Sequence, residues 1–249
     1  MLELSVIILA FNEQESLRKT VLEIQSLLKP ECTNIIISTS HNATPECIKM
    51  SKLLSNEFEN VSVFFQKKPF VAAAVLEALE IVTTERTIYM SSDSETPPKV
   101  IPIMMDKCAE FDWDIVVASR WIEGGSFTGY GKLKYSISWV AQQVCRLLYS
   151  RDLTEFTYGF RLYKTDLLRK YNFHEAKHPF FLESFLIPLR CGATVTEVPV
   201  NWTPRYESES VVNFLTLVQY LKPLIRVRFM KKEKIENSSD SKSRHSHGE

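Results

Sequence analysis

Apolar, β-branched runs alternate with amphipathic stretches through the first half of the chain. Residues 4–9 (LSVIIL) read as a strand buried on both faces. Leu17, Val21, Ile24 and Leu28 then recur at helical spacing, and Asn12 with Glu15 three residues on has the pattern of a capping box. Residues 35–37 make a second strand. Thr44 is placed to cap a helix with Pro45 at its first position and Cys47, Met50 and Leu54 on one face. Residues 61–65 make a third strand, followed by an alanine-rich helix over 70–81, and 87–90 and 115–118 make a fourth and a fifth. Strands separated by helices imply parallel βαβ crossovers, hence an α/β fold with a mostly parallel sheet flanked by helices. In such sheets ligands bind beyond the carboxyl ends of the strands, which singles out residues 10–13, 38–44, 91–98 and the segment from 119 onward.

The second half is patterned differently. Leu133, Ile137, Val140, Val144 and Leu147 form one stripe, with Trp139 beside them. Residues 211–230 form a second amphipathic stretch, with Phe214, Leu217, Val218, Leu221 and Ile225 on one side. Lys222-Pro223, Arg226 and Arg228 interrupt it, so it is not expected to span a membrane. From 231 to 249 the composition collapses to Lys, Glu, Ser and His. The expected division is therefore a domain over 1–230 and a disordered polar tail over 231–249.

Composition narrows the function. The 249 residues carry 30 basic and 30 acidic side chains, so nothing draws the chain to nucleic acid at long range. With 45% apolar residues a large core is assured. The five cysteines are scattered without a CxxC pair, which fits a reducing compartment and argues against a disulfide scaffold or zinc ribbon. The opening MLELSVIILAFNE lacks a basic n-region and is expected to be a strand, not a signal peptide. The sequons at Asn42, Asn60, Asn201 and Asn237 are then incidental, and a cytoplasmic protein, soluble or peripheral, is expected.

Two segments stand out chemically. The chain has only seven glycines, yet Gly124, Gly125, Gly129 and Gly131 fall within eight positions, just after Ser119-Arg120. Such clustering demands positive φ or close backbone approach, and suggests a flexible lid over a ligand with an arginine at its base. A long hairpin is the alternative. The loop Ser91-Ser92-Asp93-Ser94-Glu95-Thr96-Pro97-Pro98 places two carboxylates at a strand's carboxyl end, enough for Mg²⁺ or Mn²⁺ once phosphates and waters fill the other positions. Asp93 or Thr96 could equally cap the helix that Pro97 begins.

Taken together, LSVIILAFNEQESL, MSSDSETPP, SRWIEGGS, TYGFRLYK and TEVPVNWTPRYESES resemble, in order and spacing, family 2 glycosyltransferases of the Rossmann-like GT-A fold. Within that family the likeness is to the dolichyl- and polyprenyl-phosphate sugar (mannosyl) transferases, and it runs from about Leu4 to Phe229. The resemblance implies transfer of a sugar, with inversion, from a nucleoside-diphosphate donor to a polyprenyl-phosphate acceptor at the cytoplasmic membrane face. Ala10, Phe11, Asn12, Glu13, Ser38, Ser91, Gly124 and Gly125 would line the nucleotide sugar. Asp93 and Glu95 would hold the divalent ion, Asp93 and Arg120 would act on the diphosphate, and Arg205 and Lys132 would face the acceptor phosphate. The two amphipathic stretches match the family's interface helices, and a membrane-embedded partner subunit is a further possibility. The chain departs from the family pattern at Ser91, across Ile37-Ser38-Thr39-Ser40-His41-Asn42, across Lys68-Pro69-Phe70-Val71-Ala72-Ala73 and at Val211. Two alternatives stay open: a transferase acting on a non-lipid glycan, with Glu183 or Glu155 as base, and a relative that binds nucleotide sugar without catalysis.

His174-Glu175-Ala176-Lys177-His178 has the HExxH spacing of zinc proteases, but Pro179 follows at once, so a polar loop with two solvent-facing histidines is expected instead. Trp121 and Trp139 are expected to pack, not to serve as sugar platforms. The basic residues Arg226, Arg228, Lys231, Lys232 and Lys234 form either a solvated helix end or a contact with anionic lipid.

Overall fold

The computed structural model describes residues 2–93, 95–129, 131–203 and 214–231, the last stretch with side chains from 219 onward. Arg205, the position of Val211, the side chains of Phe214, Leu217 and Val218, Lys232, Lys234 and nearly all of the 231–249 tail lie outside the described residues.

The predicted alternation is present. The strands β1 (Leu4–Leu9), β2 (Thr33–Ser40), β3 (Val61–Gln66), β4 (Arg86–Ser91) and β5 (Ile115–Ser119) are joined through α1 (Glu15–Leu27), α2 (Pro45–Glu57), α3 (Val71–Ala78) and α4 (Ile101–Glu110). After β5 come β6 (Ser126–Phe127), α5 (Lys132–Leu148), β7 (Arg161–Lys164), α6 (Thr165–Lys170), α7 (Phe180–Arg190), β8 (Val195–Pro199), β9 (Asn201–Trp202) and α8 (Phe214–Phe229). The main sheet has seven strands in the order β3-β2-β1-β4-β7-β5-β8. All pairs are parallel except those of β7, which runs antiparallel between β4 and β5. A two-stranded parallel ribbon joins β6 to β9.

Both faces of the sheet are covered, which is why the strands read as continuous apolar runs. Leu4, Val6 and Ile8 of β1 pack with Leu17, Val21 and Ile24 of α1, Cys47 and Leu54 of α2 and Met104 of α4. Ile7 points the other way, into a second core with Val75 of α3, Phe180 and Phe185 of α7 and Leu224 and Val227 of α8. Thr44 caps α2 as expected, its hydroxyl accepting from the Cys47 amide.

Two local expectations need correction. Asn12 does not cap α1: the cap position is Gln14, without a side-chain bond, and Glu13 turns back to accept from the Phe11 and Asn12 amides at 2.8 and 2.9 Å. The helix expected over 70–81 ends at Ala78 and tightens into a 3₁₀ turn over Leu79–Ile81. Phe70, just ahead of it, has φ 75° and ψ 166°. That region is essentially reserved for glycine, and a bulky residue held there costs about 1–3 kcal/mol.

Candidate functional site

The carboxyl ends of β1, β2, β4 and β5 open on one edge of the sheet, and most of the residues singled out by sequence gather there. At the end of β1 the Ala10 amide donates to the Ser38 carbonyl at 3.0 Å, and the Phe11 carbonyl accepts from the Thr44 amide. The Phe11 ring is half exposed. Ser38 contributes through its backbone: its hydroxyl is buried and donates to the Ala74 carbonyl at 2.7 Å, away from the edge.

The acidic loop after β4 is a tight, internally bonded turn. Ser92 donates to the Leu9 carbonyl through both its amide and its hydroxyl, tying the loop to β1. The Ser91 hydroxyl accepts from the Asp93 amide, and Asp93 Oδ1 accepts from the Glu95 amide at 3.1 Å. Thr96 Oγ1 donates to the Ser91 carbonyl at 2.9 Å. Neither Asp93 nor Thr96 caps the following helix, which enters through a 3₁₀ turn over Pro98–Val100.

Arg120, at the end of β5, is buried and paired with Glu155, which has no exposure at all. Glu155 accepts from Arg120 Nε at 2.8 Å and Nη2 at 3.1 Å, from Gln142 Nε2 at 3.0 Å, and from the amides of Thr157 and Tyr158. Burial alone would raise the Glu155 carboxyl, but the Arg120 charge and these donors hold it below the usual range. Glu155 is therefore a fixed anion that orients Arg120, not a base. Behind it, Glu197 of β8 accepts from the Thr154 and Glu155 amides and fixes the turn. Burial pushes the Glu197 carboxyl upward.

Tyr158 joins the two halves of the site. The Arg120 guanidinium lies over its ring at 4.7 Å and over the Phe127 ring at 5.0 Å. Its hydroxyl donates to the Glu95 carbonyl at 2.5 Å. Burial drives the phenol well above its ordinary range, so it stays a donor, and Arg120, Glu95, Glu155 and Asp93 all act on it electrostatically. The acidic loop and the arginine thus meet around one ring.

One glycine of this segment sits at a close backbone approach and another has a positive φ. A Cβ on Gly125 would fall 2.8 Å from the Arg120 carbonyl carbon and the Ser119 oxygen. Gly124 has φ 86°, and a Cβ there would fall 3.3 Å from the Pro199 Cβ. The next residues are stitched down, Ser126 and Phe127 pairing with Asn201 and Trp202. Within the segment expected to form a lid, residues 122–128 make a hydrogen-bonded turn.

Lys132 is the exposed first residue of α5. The α5 stripe faces outward: Leu133 is 75% exposed and Leu147 70%, with Trp139, Val140 and Val144 also open. On α8, Leu221, Ile225 and Phe229 are exposed as well. The inner side of α5 carries Gln142, whose Oε1 accepts from the Phe156 amide and whose amide nitrogen reaches Glu155 and Thr157. Trp121 packs on Phe127 and Tyr135, as expected, whereas Trp139 is half exposed beside a small cleft with Gln143 and Arg146. Among the described residues no helix is long and apolar enough to cross a membrane.

The segment 172–176 is not helical; His174 and His178 are exposed, but His174 Nδ1 lies 3.2 Å from the buried Glu183 carboxylate. Glu183 is neither an exposed helix position nor free to act as a base. Fully buried, it accepts from the His174 and Glu175 amides and from Arg226 Nη2 at 2.7 Å. Arg226 therefore turns inward and is not part of a solvated basic end.

As to a divalent ion, the described residues hold no cluster of three or more ligating side chains. Asp93 and Glu95 place two carboxylates in the loop at the carboxyl end of β4, and one or two suffice where phosphates and waters complete an ion's shell.

Sequence reasoning placed no structural role on Tyr158, Gln142 or Glu197. The available signal was weak: Gln142 is one of two adjacent amides in a helix that also carries Lys132, Lys134 and Arg146.

Solved structures of known proteins share this architecture. Glucosyl-3-phosphoglycerate synthase from Mycobacterium tuberculosis, solved with Mn²⁺, UDP and phosphoglyceric acid, aligns over 92% of this chain and 79% of its own at 13% identity with a TM-score of 0.70. The same protein solved with Mg²⁺ and UDP gives a TM-score of 0.68. The fold is that of the GT-A glycosyltransferases. In sequence, the description of glycosyl transferase family 2 matches residues 5–172, so the chain belongs to that family. An undecaprenyl-phosphate mannosyltransferase from Micrococcus luteus is 28% identical over 49% of the chain. A dolichol-phosphate mannosyltransferase from Pyrococcus furiosus is 23% identical over 91%. The matched regions span 51% and 64% of these relatives' own lengths.

Proposed function

We propose that the chain transfers a sugar from a nucleoside-diphosphate donor to a polyprenyl-phosphate acceptor, as a peripheral protein on the cytoplasmic membrane face. Residues 1–230 would form the transferase unit and 231–249 a polar appendage. The observation that carries this reading is the meeting of the acidic loop and Arg120 around Tyr158, with the hydroxyl on Glu95 and the guanidinium over the ring. Asp93 and Glu95 would hold Mg²⁺ or Mn²⁺ together with the diphosphate, and the ion supplies charge neutralisation to the leaving group. Arg120 is oriented before any donor arrives, so its positive end costs no reorganisation during reaction. Ala10, Phe11, Asn12 and Glu13 would line the nucleoside, with Ser38, Ser91, Gly124 and Gly125 shaping the pocket walls.

The relatives' names support a lipid-phosphate acceptor, and so does the state of the carboxylates. A hydroxyl acceptor needs a base, and both candidates, Glu155 and Glu183, are buried in bonded ion pairs. A phosphate acceptor is already anionic near neutral pH and needs no proton removed. Its oxygen would attack the anomeric carbon in line with the departing diphosphate, inverting the centre, with Lys132 and Arg205 facing its phosphate. The outward apolar faces of α5 and α8 support membrane contact, with room beside them for a membrane-embedded partner subunit.

The test is incubation of the purified chain with radiolabelled UDP- and GDP-sugars, Mn²⁺, and either phosphopolyprenol or soluble glycans. Label should move into the lipid phosphate. Transfer to glycans alone would replace the acceptor, and nucleotide-sugar binding without transfer to any acceptor would leave a binding protein.

A further inference from the structure

Phe70 is the one described non-glycine residue with a positive φ, and its ψ of 166° puts it in the region where glycine is the normal occupant. A strained backbone of this kind persists when something repays it. Core packing does not, because the ring is 50% exposed. The Lys177 ammonium over the ring at 4.8 Å returns little at a solvent-facing site. Yet the backbone around it is braced: Gln66 Nε2 donates to the Lys68 and Phe70 carbonyls, the Ala74 amide to the Phe70 carbonyl, and the Ala72 amide to the Ala176 carbonyl. The bracing holds an aromatic ring out at the carboxyl end of β3. Gln66 pairs in register with Ser40, and the neighbouring residues His41 and Phe65 stack face to face, 4.6 Å apart and 14° from parallel. An exposed ring and a stacked ring pair thus share the edge where β2 and β3 end, on the β1 side of which the nucleotide residues lie.

Resting on the donor reading above, we propose that Phe70 is a donor-contacting residue whose ring stacks on the nucleobase, so that base recognition at this edge is by aromatic surface. Stacking is tolerant of base identity, because every base has a π face. UDP and GDP are therefore both expected to bind, with affinities within about tenfold of each other.

The test is calorimetric titration of the whole chain with UDP, GDP and pyrophosphate, each with Mn²⁺, for the unaltered protein and for Phe70→Gly, Phe70→Leu and Phe70→Tyr. Phe70→Gly should melt at or above the parent temperature, because the strain is gone, and yet bind both nucleotides about tenfold more weakly, the loss of one ring stack. Pyrophosphate binding should not change. Phe70→Leu, which keeps bulk without a π face, should weaken nucleotide binding similarly, and Phe70→Tyr should retain it. Nucleotide affinity retained in Phe70→Gly or Phe70→Leu would overturn the proposal, as would equal loss of pyrophosphate and nucleotide. If the unaltered chain binds pyrophosphate but neither nucleotide, the base contact fails while the ion site stands; if it binds none of the three, the donor reading itself fails and takes this inference with it.

Discussion

Replacing Glu155 by alanine removes the anion on which the centre of the site is built. The carboxylate is fully buried and accepts two bonds from Arg120, one from Gln142 and two from the backbone amides of Thr157 and Tyr158. Without it the Arg120 charge is left buried and uncompensated, a loss of about 3–5 kcal/mol for one partner of a buried pair. The orphaned amides add to this, less than additively. Taking about 4 kcal/mol and a sensitivity of about 2–4 °C per kcal/mol for a chain of this size, Tm should fall by roughly 8–16 °C. Urea unfolding should show a lower midpoint at unchanged slope. The double change Glu155→Leu with Arg120→Met should recover most of the loss, since a well-packed apolar pair replaces a buried ionic one at little cost. The Glu155 carboxyl is held below its unfolded value, so its contribution is present above about pH 4.3 and is lost as pH falls through the folded value. A loss below about 1 kcal/mol for Glu155→Ala, or no recovery in the double variant, would refute the account of this pair.

Other consequences are more local. Asp93→Ala should abolish Mn²⁺-dependent binding of nucleoside diphosphate with little change in Tm; retained metal-dependent binding would remove Asp93 from the site. Gly125→Ala forces a methyl group to within 2.8 Å of the Arg120 and Ser119 backbone, and should cost about 2 kcal/mol or more by denaturant titration. Leu133→Asp with Leu147→Asp changes side chains that are 75% and 70% exposed. It should leave Tm unchanged and abolish co-sedimentation with liposomes; sedimentation equal to the parent's would remove α5 from the membrane contact.

The sheet was legible because parallel strands covered on both faces need continuous β-branched runs, as in LSVIIL and IVVAS. β7 was not. It is four residues long, begins with a buried arginine, and owes its place to antiparallel pairing with β4 and β5. The spacing of Asn12 and Glu15 fitted a capping box, but Glu13 captured the nearby amides and the helix began later. The α5 stripe was visible in sequence, though periodicity reports that a face is apolar without saying what it meets; the rest of the chain leaves it uncovered. In the site, Asp93 and Arg120 could be chosen because both follow strand ends. The Glu155 partner of Arg120 lies 35 residues away, and no local pattern marks such a pairing. The glycine cluster signalled positive φ or close backbone approach, and both are present: Gly124 and Gly129 have positive φ, and Gly125 lies against the Arg120 and Ser119 backbone.

The central claim is that a diphosphate is gripped between an ion on Asp93 and the guanidinium of Arg120. A crystal structure with UDP and Mn²⁺, with the metal located by anomalous scattering, tests it most directly. The account predicts Mn²⁺ held by an Asp93 carboxylate oxygen together with the diphosphate, with Arg120 still paired to Glu155 and turned toward the β-phosphate. Mn²⁺ and diphosphate bound away from Asp93, or a diphosphate that Arg120 does not face, would contradict it.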